Sequence, residues 1–300
     1  MTNVSNLNSQ PISPRSPYLV TGATGTNGRE LVKLFSERGI PVRVLVRDRK
    51  RAGAIALPHV EIVEGNFDAP QSLKNALEGV EHVFLLSNSS ENAEKQQLDF
   101  VESALASGVR HVVKLSQLGA KSDSPNRFLR YHAVVEEALR ASGLRTTFLR
   151  PNLFMQGLLN FRSTIASQGA FYAAAGEGRV SVVDIRDIAE VAFMALTEVG
   201  HEGKTYDITG PEALTHSEMA EQLSKAIGHP VSFVNVAPED MREALLGIGF
   251  PEWQADGLLE EYAEWSEDKA ATISPDVQKV TGKEPRTFAD FARDYASAFK

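Results

Sequence analysis

Tyr18-Leu-Val-Thr-Gly22-Ala-Thr24-Gly25-Thr26-Asn27-Gly28-Arg-Glu-Leu31 sets a short apolar run against three glycines at three-residue spacing, then opens an amphipathic segment. Each glycine has a separate physical task. Gly22 allows the tight turn, Gly25 lets backbone N–H groups approach a pyrophosphate, and Gly28 permits close packing of helix on strand. The pyrophosphate then rests at a helix N-terminus, where unpaired N–H groups and the helix dipole favour negative charge. Thr24, Thr26 and Asn27 add short polar side chains at the same mouth. The spacing is G-x-x-G-x-x-G rather than the usual dinucleotide fingerprint G-x-G-x-x-G, so the reading leans on context.

That context is a run of βαβ units. Apolar runs recur at Tyr18–Thr21, Val42–Val46, Val60–Val63, His82–Leu86, His111–Leu115 and Thr146–Leu149. Helix-like segments separate them at Asn27–Arg38, weakly at Arg51–Leu57, and at Pro70–Leu77, Glu91–Ser107 and Arg127–Ser142. Strands alternating with helices imply a parallel sheet, and runs that do not alternate in polarity imply a sheet covered on both faces. Gly39, Gly79, Gly108 and Gly143 each follow a helical segment, where a left-handed cap belongs. Asp68 before Ala69-Pro70 reads as an N-cap followed by a first-turn proline. The expected fold class is α/β: a doubly wound parallel sheet of the Rossmann type over residues 17–151, preceded by a flexible tail at 1–16.

After Pro151 the rhythm loosens. A helix-like Leu153–Ser167 leads into the Gly/Ala-rich stretch Gly169–Gly178, then strands at Val180–Val183 and Thr205–Ile208 flank a helix from Asp187 to Thr197. Thr215-His-Ser-Glu218 is a capping box opening a helix to Ile227. Val231–Val236 reads as a strand, with helices near Glu239–Leu246, Glu252–Trp265, Asp276–Val280 and Thr287–Phe299. Residues 152–300 are expected to form a smaller, mostly helical C-terminal lobe, partly interleaved with the sheet.

Composition bounds the function. The 300 residues are 42% hydrophobic and 23% charged, as in a globular protein with a core. No apolar stretch exceeds six residues, as at Val191–Leu196, far short of the roughly 18 of a membrane span. The polar opening residues resemble no secretory signal, and the absence of Cys removes disulfides, thiolate metal sites and a cysteine nucleophile. A cytoplasmic location follows as the expectation. The net charge is −8, and residues 201–300 alone carry 9 basic against 19 acidic residues. Such a chain is a poor binder of nucleic-acid backbone, and its scattered histidines predict no metal. The acidic lobe offers a docking face for a basic protein partner.

One basic run stands out: Arg43, Arg47, Arg49, Lys50 and Arg51 around Asp48. An NAD site wants Asp or Glu at the end of the second strand; an NADP site wants Arg for the 2′-phosphate. Val42–Val46 ends in Arg47, with Arg51 a turn later, and a guanidinium grips a phosphate through paired hydrogen bonds. The run therefore predicts NADPH in preference to NADH.

Thr21 to Gly28 together with Arg47 resemble the short-chain dehydrogenase/reductase superfamily. Further stretches are similar to its atypical NmrA-like branch: Gly65-Asn66-Phe67-Asp68, Ser87-Asn88, His132 through Glu136 to Leu149-Arg-Pro-Asn152-Leu153-Phe154, Val183–Asp187, Tyr206–Gly210 and Val280–Gly282 through Phe291. The resemblance implies that Asn66 and Phe67 meet the adenine side, although an acid is more usual than Asn66. It also implies that Ser87, Asn88, His132 and Asn152 with Leu153 and Phe154 approach the ribose and nicotinamide.

Active short-chain dehydrogenases use Ser or Thr after the fifth strand and Tyr-x-x-x-Lys on the next helix. Here those positions fall on Gln117, beside Ser116, and on Phe128 and His132. A frame using Tyr131 places Val135 at the lysine position, so the pair is broken either way. Alcohol dehydrogenation and sugar-nucleotide epimerisation are disfavoured. NmrA-like members lack the pair as a group and divide between NAD(P)H-dependent reductases of quinones or dyes and redox sensors that bind NADP(H) without turnover. Hydride delivery to a conjugated acceptor leaves a delocalised charge that water can protonate, so it needs chiefly orientation and a dry pocket. The expectation is an NADPH-dependent reductase of a small conjugated or aromatic, quinone-like acceptor; the alternative is a non-catalytic sensor that binds a protein partner.

His132 is the one candidate catalytic residue. It shares a helix face with Phe128, Glu136 and Leu139, and either meets the cofactor, donates a proton, or is simply satisfied by Glu136. For Asn152 the competing role is a helix N-cap, and Asp187 reads as an N-cap rather than an acid. Phe171, Tyr172, Trp253 and Trp265 are candidate pocket aromatics whose ordinary use is core packing.

Overall fold

Leu19 and Val20 point to opposite faces of the first strand, and both are fully buried. That pattern recurs along the sheet. The computed structural model describes residues 17–300, so the tail expected at 1–16 lies outside the described residues. The first half runs β1 (Tyr18–Val20), α1 (Thr26–Glu37), β2 (Val42–Val46), β3 (Val60–Glu64), α2 (Pro70–Leu77), β4 (His82–Leu85), α3 (Ala93–Ala106), β5 (His111–Leu115), α4 (Arg127–Ala141) and β6 (Arg145–Pro151). The second half runs α5 (Arg162–Gln168), β7 (Ala170–Ala173), α6 (Ile185–Thr197), β8 (Thr205–Ile208), α7 (His216–Ile227), β9 (Ser232–Asn235), α8 (Pro238–Gly247), α9 (Glu252–Ser266), α10 (Asp276–Thr281) and α11 (Phe288–Asp294).

Seven strands form one parallel sheet in the order β3-β2-β1-β4-β5-β6-β8. The order reverses between β1 and β4, and ligands of open α/β sheets bind at the carboxyl ends of the strands at such a switch point. One face, with Val20, Val44, Phe84, Val113 and Leu149, packs on α1 and α6. The other, with Leu19, Leu45, Val83, Val112 and Phe148, packs on α2, α3 and α4. A third core built around Phe171, Leu223, Trp265 and Phe291 holds the C-terminal lobe together, including the small parallel pair β7–β9. Thus α6 and β8, from the second half of the chain, complete the Rossmann sheet. No helix among the described residues is long and apolar enough to cross a membrane.

Local chemistry explains the boundaries. Gly39, Gly79, Gly108 and Gly143 all take positive φ, as the cap positions predicted. Thr215 and Glu218 form the expected capping box on α7. Other expectations are corrected. Asp68 is not the N-cap of α2; Ala69 is, and the Asp68 carboxylate instead accepts from the Gln96 amide at 2.9 Å. Arg51–Leu57 forms two short 3-10 turns rather than a helix. Leu153–Ser167 divides into a 3-10 turn over Met155–Phe161 and then α5. Val180–Val183 is no strand but makes isolated bridges to Leu214, Ala270 and Phe154. The Gly/Ala-rich stretch conceals β7. Asp187 lies in the first turn of α6, whereas the N-cap is Asp184, which accepts from the Arg186 amide at 2.9 Å. Buried Asp187 instead accepts from the Arg286 amide and guanidinium.

Candidate active site

Thr21 ties β1 to β4 at the switch point. Its hydroxyl donates to the Leu86 carbonyl at 2.8 Å and accepts from the Leu86 amide at 2.8 Å. Gly22 follows at φ +62°, a conformation costly for other residues. The Gly25 N–H closes the turn on the Gly22 carbonyl at 3.0 Å. Gly28 lies so close beneath it that a Cβ would stand 2.3 Å from the same carbonyl oxygen. Gly25 is the N-cap of α1 and offers no side chain, so the amides of Thr26, Asn27 and Gly28 lack intrahelical acceptors. The Asn27 carbonyl oxygen Oδ1 is buried without a hydrogen-bond partner among the described residues. Buried polar atoms are normally paired, so an orphan here marks a place for a polar ligand. The turn fits a dinucleotide.

On the same edge of the sheet, Arg47 at the end of β2 and Arg51 a turn later are exposed, and no hydrogen bond or ion pair engages either side chain among the described residues. The rest of the basic run is otherwise occupied. Arg43 is buried and donates to the Ala76 and Glu78 carbonyls at the end of α2 and to Glu61. Arg49 donates to the Ile62 carbonyl. The Asp48 carboxylate caps the short turn, accepting from the Lys50 amide at 2.8 Å, and so does not occupy Arg47 or Arg51. After β3, Asn66 folds into a turn by accepting from the Asp68 amide, while the Phe67 ring packs 5.5 Å from Phe100.

Between β4, β5 and β6 lies a cleft of about 310 Å³ that brings together Asn27, Ser87, Asn88, His132, Asn152, Leu153 and Phe154. Ser87 is oriented by the Gln97 amide at 2.8 Å. Asn152 is not a helix N-cap: its amide donates to Ser181 and to the Ala270 carbonyl, both at 2.8 Å, and clamps the loop after β6 to the lobe.

His132 is not satisfied by Glu136. Its Nδ1 lies 2.7 Å from the Nζ of Lys114, a fully buried residue of β5. Glu136 is taken instead by Ser116 at 2.6 Å and by Arg140 and Arg150. Burial drives the Lys114 amine down to about 7 and holds His132 well below its ordinary value, with the Lys114 and Arg150 charges adding to the effect. A neutral imidazole whose Nδ1 accepts from lysine carries its proton on Nε2. With Lys114 donating, a neutral His132 would present Nε2–H to the cleft. Tyr131, tilted 32° against the His132 ring with centroids 4.1 Å apart, bonds Ser89, and burial raises its phenol. In the sequence Lys114 is hidden within an apolar run; its signal is a cation in a strand expected to be covered on both faces.

Beyond the cleft opens an apolar chamber of about 450 Å³, lined by Phe154, Phe171, Tyr172, Met241, Tyr262 and Trp265 among others. Trp253 packs instead on Phe128 and Tyr131. Cleft and chamber share Leu153, Phe154, Glu261 and Trp265. Glu261, one of five acids on α9, was concealed in what reads as a solvated acidic helix; it is only 8% exposed and accepts from the Gln117 amide.

Sheet order, glycine turn and open helix N-terminus together define a Rossmann-type dinucleotide-binding fold. A match to the NmrA-like family spans residues 15–292, and the chain belongs to that family. It is 40% identical over 281 residues to the NAD(P)H azoreductase of Xenophilus azovorans, covering 94% of this chain and 98% of that protein. Among solved structures it is similar to an NADPH-dependent quinone oxidoreductase from Escherichia coli complexed with NADPH (TM-score 0.83, 28% identity, 92% and 99% of the two chains). It is also similar to the triphenylmethane reductase of Citrobacter sp. complexed with NADP(H) (TM-score 0.82, 28% identity, 93% and 99% of the two chains).

Proposed function

We propose that the protein is an NADPH-dependent reductase of a small conjugated or aromatic acceptor such as a quinone. The observation that carries this reading is the apolar, aromatic-lined chamber opening onto the cleft of Ser87, Asn88, His132 and Asn152, on this reading the nicotinamide end of the site. The azoreductase, quinone oxidoreductase and triphenylmethane reductase similarities support the same reaction class. Bound there, NADPH would supply a hydride. The chain's own residues bind, orient and exclude water. The turn at Gly22, Thr24, Gly25, Thr26, Asn27 and Gly28 holds the pyrophosphate, and Arg47 with Arg51 the 2′-phosphate. Asn66 and Phe67 meet the adenine side. Ser87, Asn88, the His132 Nε2–H and the Asn152–Phe154 loop approach the ribose and nicotinamide. Phe154 and Trp265 form the wall against which a flat acceptor stacks.

NADPH oxidation measured with a panel of quinones and dyes tests this. Turnover with several members, faster with NADPH than with NADH, is expected. Tight NADPH binding with no turnover across the panel overturns the reading in favour of a nucleotide sensor.

A further inference from the structure

Glu261 stands where three hollows meet. It lines the nucleotide cleft, the apolar chamber and a third, polar hollow of about 270 Å³ that is also lined by Lys121, Asp123, Asn126, Glu264 and Lys269. Gln117, two residues beyond β5, donates its amide to Glu261 Oε1, leaving Oε2 as the atom to carry a proton. Gln117 and Glu261 thus place an amide and a carboxyl near the end of β5, where the superfamily uses a hydroxyl and the Tyr of its Tyr/Lys pair.

We propose that Glu261 delivers the proton that completes reduction of the acceptor and regains it from water through the polar hollow. The proposal rests on the reductase reading. The chamber is walled by Phe171, Met241, Leu245 and Tyr262, so a proton reaches an acceptor inside it more readily on a carrier than from bulk water. For a quinone, hydride from the reduced nicotinamide bonds to one end of the conjugated system and the displaced electron pair moves to the distal oxygen. That oxygen takes the proton as the Glu261 O–H bond breaks. The products are a hydroquinone, the oxidised nucleotide and a carboxylate that is reprotonated from solvent.

The surroundings favour a carboxyl that holds a proton near neutrality. No cation pairs with Glu261 among the described residues. Glu260, already bound by Arg127, and Glu264 flank it on α9, with the buried phenols of Tyr131 on α4 and Tyr262 nearby. Lys121 and Lys269 lie across the polar hollow, and His216 lines the far part of the chamber. Burial raises the carboxyl to about 7, against the bond from Gln117 and with the charges of Glu264 and Glu260. An acid poised near the working pH is the efficient general acid.

Two acceptors separate this role from a structural one. A triarylmethyl cation becomes neutral on taking hydride and needs no proton; a quinone needs one. In Glu261→Gln the quinone rate relative to the cation rate is expected to fall by about 10²–10⁴-fold, the usual contribution of a general acid. An unchanged ratio overturns the proposal. In the nucleotide-free protein, a carboxyl infrared band titrating near pH 7 is expected in wild type and absent from Glu261→Gln. Titration only in the ordinary carboxylate range overturns it. Gln117→Leu removes the bond that lowers Glu261, so the alkaline limb of quinone kcat/KM is expected to move to higher pH; an unmoved limb counts against the assignment. A wild type that reduces neither acceptor ends the reductase reading and this role with it, even with the infrared band present.

Discussion

Lys114 Nζ and His132 Nδ1 face each other at 2.7 Å inside the protein, one on β5 and the other on α4. The contact joins a strand to the helix packed on it, with both partners largely uncharged once the pH exceeds about 7. With Lys114 as the donor, the hydrogen of the neutral imidazole sits on Nε2, the nitrogen toward the cleft.

The pair makes stability depend on pH with a definite sign. Lys114 falls from 10.5 in the unfolded chain to about 7 in the fold, so between those values the unfolded state binds more protons. Stability contributed at this site therefore rises with pH across that window. The Tm of wild type minus that of Lys114→Met is expected to climb between about pH 7 and pH 9. A flat difference in calorimetry contradicts a buried, proton-poor lysine.

Glu136 carries the opposite sign. Burial opposes its ionisation, but bonds from Arg150, Ser116 and Arg140 hold the carboxyl below its usual range. Its contribution is present above the unfolded value of 4.5 and is lost as the pH falls through the lower folded value. Glu136→Gln leaves Arg150 without its carboxylate and should destabilise by about 3 kcal/mol or more at neutral pH. Denaturant melts showing less than about 1 kcal/mol would demote the cluster to a weak surface-like pair.

Arg47→Ala should weaken NADPH far more than NADH. Loss of a charge-assisted contact to a 2′-phosphate costs about 1.5–3 kcal/mol, roughly 10- to 150-fold in Kd. Equal losses for the two nucleotides in a fluorescence titration would refute the phosphate assignment.

At Gly28 the crowding is entirely backbone. A Cβ meets the Gly22 carbonyl oxygen at 2.3 Å and the Ala23 Cα at 2.7 Å, with no flexible side-chain tip to give way. Gly28→Ala should therefore cost about 1–3 kcal/mol and reduce affinity for both nucleotides by displacing the turn from α1. Gly247→Ala, at the end of α8 with nothing within 4 Å of its Cβ, is the control and should leave Kd unchanged and Tm unchanged or slightly raised.

The Rossmann half was legible because its strands are covered on both faces and its helices end at glycines; Pro70–Leu77 and Val42–Val46 appear with the expected bounds. The lobe was harder. At Val180–Val183 a β-like composition serves isolated bridges, since Val180 is pinned to Leu214 and Ala270 rather than laid along a neighbouring strand. Among the acids, Asp184 and Asp187 are both near a helix start, and only geometry tells the cap from the partner of Arg286. In the candidate site, the glycine turn and the unengaged Arg47 are features that local spacing pointed to. Lys114 and Glu261 do not: each acquires its character from burial against a segment distant in the chain, Glu261 through Gln117 from 144 residues away.

The chamber belongs to a core of its own, apart from the two that flank the sheet. On the proposed reductase reading, exchanges at Met241 or Leu245 should therefore change which acceptors fit without altering nucleotide affinity. On that reading, acceptor choice and reducing power are governed by separate parts of the molecule.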